Sequence, residues 1–144
     1  MDDDARMRAL GGEVMRLTRR RSTSYPGSVL EESAFRILLL LVEEGPKSSR
    51  ELADELQLEQ STISRQVAAA IGHGLLERYG GSPRRLRPTD AGREAYRHDG
   101  RLRAEVWSRA VAELGSGRGD ELIATLHDLN EALDRAHAAV RASR

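Results

Sequence analysis

The chain has 144 residues, 39% of them hydrophobic and 32% charged, enough apolar material for one modest core and too much for a disordered tail. Its 23 basic residues balance 23 acidic ones, so net charge does not announce a nucleic-acid partner and any basic surface must be local. Cysteine is absent, which excludes disulfides, thiol catalysis and zinc fingers, and the longest apolar run, 37–42, falls far short of the ~20 residues a membrane span needs.

The opening Met1-Asp2-Asp3-Asp4 carries acids where a signal peptide carries bases, so the expected location is the cytoplasm. Residues 3–21 read as a helix, because Met7, Leu10, Val14 and Leu17 share one face. The aspartates suit its N-terminus. Arg19, Arg20 and Arg21 suit its C-terminus, with a second DNA patch as the other reading. Tyr25-Pro26-Gly27-Ser28 then breaks it.

A second helix is expected over 28–44, and its end is apolar nearly all round, which places it centrally. Gly45-Pro46 stops it. Ser48-Ser49-Arg50-Glu51 is a capping box that opens a third helix over 49–56. Gln57-Leu58-Glu59 makes a tight connection to a fourth helix from Gln60 to about Ile71, with Ile63, Val67 and Ala70 inward. Extended segments at 75–79 and 84–87 flank Gly80-Gly81-Ser82-Pro83 as a hairpin. Thr89 caps a long helix to about Leu114, and Gly115-Ser116-Gly117-Arg118-Gly119 breaks the chain again. Leu122, Leu126, Leu129, Leu133, Ala136 and Val140 form a heptad seam on the last helix. That seam can pack within the monomer or against a second copy. The uncovered stripe of the first helix favours a second copy.

Two short helices, a tight turn and a hairpin make a winged helix-turn-helix. The expected fold is mainly α with a small β-wing. The expected organisation is an N-terminal dimerisation helix in 1–24, a DNA-binding domain in 28–90 and C-terminal dimerisation helices in 91–144. The recognition helix offers Gln60, Ser61, Thr62, Ser64, Arg65 and Gln66 to the major groove. Arginine reads guanine and glutamine reads adenine through paired hydrogen bonds, while hydroxyls reach phosphates or bases. On the wing, Arg84, Arg85 and Arg87 suit an electronegative minor groove. Ser48, Ser49 and Arg50 are assigned to the DNA backbone. From residue 60 to 97, Arg65, Arg78, Arg84, Arg85, Arg87, Arg93 and Arg97 stand against only Glu77, Asp90 and Glu94, so the neutral chain hides a basic stretch.

The stretches GPKSSRELADEL, STISRQVAAAIGHGLLER and RRLRPTDAGREAY, in that order, resemble the multiple-antibiotic-resistance regulator (MarR) family. The resemblance covers nearly the whole chain. It implies a homodimeric repressor or activator on double-stranded DNA, with the first, fifth and sixth helices interlocking. It also implies a small-molecule effector, since many members release DNA on binding one. Four features depart from the family pattern, one of them Ala70 where a leucine is usual late in the fourth helix, with Ile71 one position on. Gln57 stands where a glycine is common and must accept an unusual backbone angle or a different turn. Glu59 replaces the usual Ser/Thr cap. The wing is short and lacks Asp-Arg-Arg, with Ser82-Pro83-Arg84-Arg85 the nearest match.

Trp107 reads either as the lining of a ligand pocket or as core or dimer packing. His73, His98, His127 and His137 are scattered, and Glu94 with His98 makes two ligands, not a metal site. No cofactor or metal is expected. No nucleophile–base pair, phosphate loop or acid pair points to an enzyme. The alternative to a DNA-binding regulator is a winged-helix module that docks a protein without sequence-specific DNA binding. Zero net charge and Glu59 are its best arguments.

Overall fold

A computed structural model describes residues 1–144 and has the expected fold class, six helices with one two-stranded wing. Helix α1 spans Asp3–Thr18, where Asp2 accepts from the Ala5 N–H at 2.7 Å. It stops three residues before Arg21. The Thr18 hydroxyl returns to the Val14 carbonyl and the Arg20 guanidinium to the Arg16 carbonyl, so these side chains close the helix end instead of prolonging it. A single 3-10 turn, Ser22–Ser24, follows.

Helix α2 runs Glu32–Glu44, beginning four residues later than the sequence suggests. The cause lies far along the chain. The fully buried Asp99 accepts from the Val29 and Leu30 N–H groups at 2.9 Å each, holding 28–31 out of the helix. Phe35, Ile37, Leu38 and Leu41 are buried, whereas Leu39 is 39% exposed, so the helix is central on one face only.

Helix α3, Ser49–Leu56, carries the complete capping box, in which Ser48 and Glu51 each bond the other's backbone N–H. Gln57 closes it in the left-handed region at φ 54°, and its side-chain amide donates to the Asp54 carbonyl at 2.6 Å. That local bond offsets part of the steric cost a non-glycine residue meets there. Helix α4, Gln60–Gly72, starts from Glu59, whose side chain makes no capping hydrogen bond.

Strands β1, Leu76–Tyr79, and β2, Arg85–Pro88, pair antiparallel, with Leu76 opposite Pro88 and Tyr79 opposite Arg85. Lys47 adds a bridge to Leu86, donating its N–H and accepting at its carbonyl, and so welds the α2–α3 turn to the wing root. Ile37, Leu38, Leu41, Leu52, Ile63, Val67, Leu76 and Leu86 form the core from which α2, α3, α4 and the wing all hang. Each large aliphatic buried there contributes ~1.5–3 kcal/mol relative to exposure.

Helix α5, Asp90–Leu114, is capped by the Thr89 hydroxyl, which accepts from the Gly92 N–H at 3.0 Å. Gly92 lies against the Leu75 carbonyl with no room for a Cβ, so glycine is what lets α5 start this close to β1. The Tyr96 hydroxyl donates to Glu43 at 2.8 Å; burial and that carboxylate push its pKa up to about 12.

The chain divides into two compact units, Met1–Arg103 and Ala104–Arg144, and the division falls inside α5. In the second unit a turn with positive φ at Gly115 and Gly117 leads into α6, Arg118–Ala142, and sets Gly119 against Val111. No residue of α6 is buried. No helix is long and apolar enough to cross a membrane.

Candidate nucleic-acid interface

Helix α4 shows a clear division of faces. Ile63, Val67 and Ala70 are buried in the core, while Gln60, Ser61, Ser64 and Arg65 are exposed and Thr62 is half-buried. The Gln60 side chain reaches Ser64 at 3.4 Å, along the exposed row. The free N–H groups of the first turn add a favourable field for phosphate at the same end. Gln66 sits differently from its neighbours. It is half-buried, and its side-chain oxygen is sealed from solvent with no hydrogen-bond partner. The surface row is therefore Gln60, Ser61, Ser64 and Arg65, with Gln66 turned into the protein.

The three wing arginines occupy three environments. Arg85 donates to the Pro46 carbonyl at 3.2 Å and lies 3.8 Å from Glu51. Arg87 donates to Glu77 at 2.7 Å and stacks over the Tyr79 ring at 4.5 Å. Arg84 is exposed at the tip, before β2 begins, and makes no hydrogen bond, ion pair or ring contact.

At the start of α3, Ser48 is buried and its hydroxyl accepts from the Glu51 N–H at 3.1 Å, so that hydroxyl already serves the cap. Ser49 is half-buried and Arg50 exposed. The Ser48 backbone N–H, and with it Arg85, holds the Glu51 carboxyl below the usual range. Lys47, the only lysine, donates to Glu55 at 2.6 Å, and that bond raises its pKa.

Two further residues do structural work that the sequence left silent. Arg103 donates to Ser22 and Glu32 at 2.9 Å each and lies 3.7 Å above the Phe35 ring. Burial alone would raise the Glu32 pKa, but Arg103, Ser22 and Arg36 bring it below its ordinary value. His98 lies 2.9 Å from the Gly27 carbonyl, beside the loop that Asp99 holds. These partners stand 69–81 residues apart, and no local pattern signals them.

A hollow of about 550 Å³ lies against α4, lined among others by Val29, Leu30, Ala34, Arg65, Gln66 and His73. Trp107 belongs to the second unit, where it is 43% exposed.

Residues 30–87 match the model of the MarR family. No curated protein matches the chain. Among solved structures, the chain is similar to a MarR/EmrR family transcriptional regulator from Acinetobacter sp. ADP1, with 20% identity over 94% of this chain and 99% of that one and a TM-score of 0.73. It is similar to a MarR family regulator from Neisseria meningitidis, with 20% identity over 96% and 98% of the two chains and a TM-score of 0.68. It is also similar to Staphylococcus aureus MarR in complex with salicylate and kanamycin, with 18% identity over 74% and 75% and a TM-score of 0.65. At these identities the likeness is one of fold.

Proposed function

We propose that this protein is a homodimeric, sequence-specific DNA-binding transcription regulator, a reading supported by the match of residues 30–87 to the MarR family model and by the winged-helix fold the chain shares with solved regulators. The observation that carries the reading is the pairing of one exposed polar row on α4, Gln60, Ser61, Ser64 and Arg65, with a wing whose tip arginine, Arg84, is unengaged. A helix with short polar side chains enters the major groove, and a free guanidinium suits the minor groove beside it.

In this reading Arg65 reads a base edge, Ser61 and Ser64 reach bases or phosphates, and Arg50 lies along the backbone. The uncovered stripes of α1 and α6 are the dimer surface. Met7, Leu10, Val14 and Leu17 are 42–55% exposed, and Leu126, Leu133 and Val140 are 38–51% exposed. Two-fold symmetry then implies a pseudo-palindromic operator, and the same reading takes the protein as a repressor that acts by occupying it. Release by a small-molecule effector is part of the same reading, supported by the hollow against α4 and by the salicylate in the S. aureus relative. In this reading the protein acts in the cytoplasm.

The second reading, a protein-docking module, is favoured by Glu59, an exposed carboxylate at the N-terminus of α4 without a capping role. Salt dependence separates the two. A DNA binder loses affinity steeply as salt rises, with ~0.9 added to the slope per phosphate neutralised. Duplex fragments selected from a random library by the purified protein, titrated from low to high salt, should show that slope and a shared half-site. A flat response with no enriched sequence would favour protein docking.

A further inference from the structure

We propose that the wing arginines divide their labour: Arg85 is a positioning residue that fixes the wing against the start of α3, and Arg84 alone enters the minor groove. The inference rests on the DNA-binding reading above and assigns roles within it. The hairpin register sets the geometry. Leu86 and Pro88 turn into the protein, so Arg85 and Arg87 share the opposite face of β2, across from Tyr79 and Glu77. That face is already occupied. Arg87 is spent on Glu77 and the Tyr79 ring. Arg85 reaches back across the sheet edge to the Pro46 carbonyl and toward Glu51, the residue that completes the α3 cap.

The contact matters because of where it lies. The wing is a hairpin of two four-residue strands, and an isolated two-stranded ribbon of this size is marginal in water. Its root is fixed by the Lys47–Leu86 bridge and by the burial of Leu76 and Leu86. Beyond that root, Arg85 is the side chain that ties the hairpin to the helix-turn-helix. A solvent-exposed contact of this kind changes global stability little. It nevertheless sets the angle at which the tip, and Arg84 with it, is presented. Arg84 precedes the last paired position, Tyr79 opposite Arg85, so it projects from the tip and not from the ladder.

The test compares Arg84→Ala and Arg85→Ala with the wild-type dimer by two measurements. The first is amide hydrogen exchange of the wing in the free protein. Arg85→Ala should speed exchange over 79–86 by about five-fold, the effect of losing one exposed contact, while Arg84→Ala leaves it unchanged. The second is binding to a duplex selected by the wild-type protein, its flanks rebuilt as A-tracts or as G·C runs. Arg84→Ala should lose the preference for the narrow-grooved A-tract flanks. Arg85→Ala should bind both duplexes a few-fold more weakly and keep their ratio. An Arg85→Ala variant with wild-type wing exchange, or one that loses the A-tract preference itself, overturns the proposal. A wild-type protein that selects no duplex overturns the DNA-binding reading instead, and the exchange measurement still decides whether Arg85 anchors the wing.

Discussion

Arg103 donates to Glu32 at 2.9 Å while its guanidinium lies 3.7 Å above the Phe35 ring, joining α5 to the start of α2 through one side chain. Both partners of the ion pair are mostly shielded, at 16% and 14% side-chain exposure. Removing one partner of a shielded pair leaves a charge without compensation, which costs more than the pair itself contributes.

Arg103→Met should therefore destabilise the fold by about 2–4 kcal/mol at neutral pH. The pH dependence identifies the cause. In the wild type the Glu32 pKa is held below its ordinary value of 4.5, so its contribution is present above that value and is lost as pH falls through the lower folded pKa. Without Arg103 the main charge partner is gone, burial acts with little opposition, and protonation relieves the strain. The deficit of the variant should shrink as pH falls below about 4.5. Urea titrations of both proteins at pH 7 and pH 4 check this, and a deficit that grows on acidification rules it out.

The side-chain oxygen of Gln66 is buried without a partner, and an unmet acceptor costs ~1–3 kcal/mol. Gln66→Met keeps the length and removes the polar atom. The expected result is a more stable protein, read as a higher denaturant midpoint with an unchanged slope. Because Gln66 is turned inward, the variant should keep the base preference of the wild type. A lower midpoint would mean that the oxygen is satisfied in solution.

What could be read from the sequence was what neighbouring residues decide. The Ser48–Glu51 capping box, the strain at Gln57 and the weak cap at Glu59 each need only four or five consecutive residues, and each is present as read. Helix α2 starts later than its sequence suggests because Asp99, some 70 residues away, competes for the Val29 and Leu30 N–H groups. The wing arginines were indistinguishable for the same reason, since the Pro46 carbonyl that claims Arg85 lies 39 residues upstream. Gln66 carries a polar side chain on a polar stretch, and nothing in its sequence neighbours marks it as the member whose side-chain oxygen is buried.

The seam of α6 is uncovered within the chain, with Leu126 38% and Leu133 44% exposed. If a second copy covers it, Leu126→Glu with Leu133→Glu should give monomers at micromolar concentration, because each leucine removed forfeits ~1.5–3 kcal/mol of burial in each subunit. Light scattering reports the mass. Chemical shifts of residues 30–87 should be little changed, since that core is built without α6. A double variant that remains dimeric would place the interface elsewhere.

Glu59 offers the most direct test of where phosphate passes. It holds the N-cap position of α4 and makes no capping bond, so the first-turn N–H groups have no side-chain acceptor there. Glu59→Ser supplies one. A serine cap is worth about 0.5–2 kcal/mol over a residue that does not cap, less the ~0.3–1 kcal/mol a carboxylate gains from the helix dipole. The central values leave a net gain in stability of about 0.5 kcal/mol and at most about 1.7 kcal/mol, seen as a higher midpoint of thermal unfolding. The effect on DNA binding is separate. A carboxylate ~7 Å from a phosphate repels it by about 0.6 kcal/mol even at the dielectric of water, and a dimer carries two such contacts. Removing both should tighten binding by several-fold at low salt, and the gain should fade as the Debye length shortens. Both quantities come from one protein preparation, the first without DNA and the second by titration at 50 mM and 300 mM salt. A variant that gains stability but binds its duplex no more tightly at low salt would show that the N-terminus of α4 does not approach phosphate.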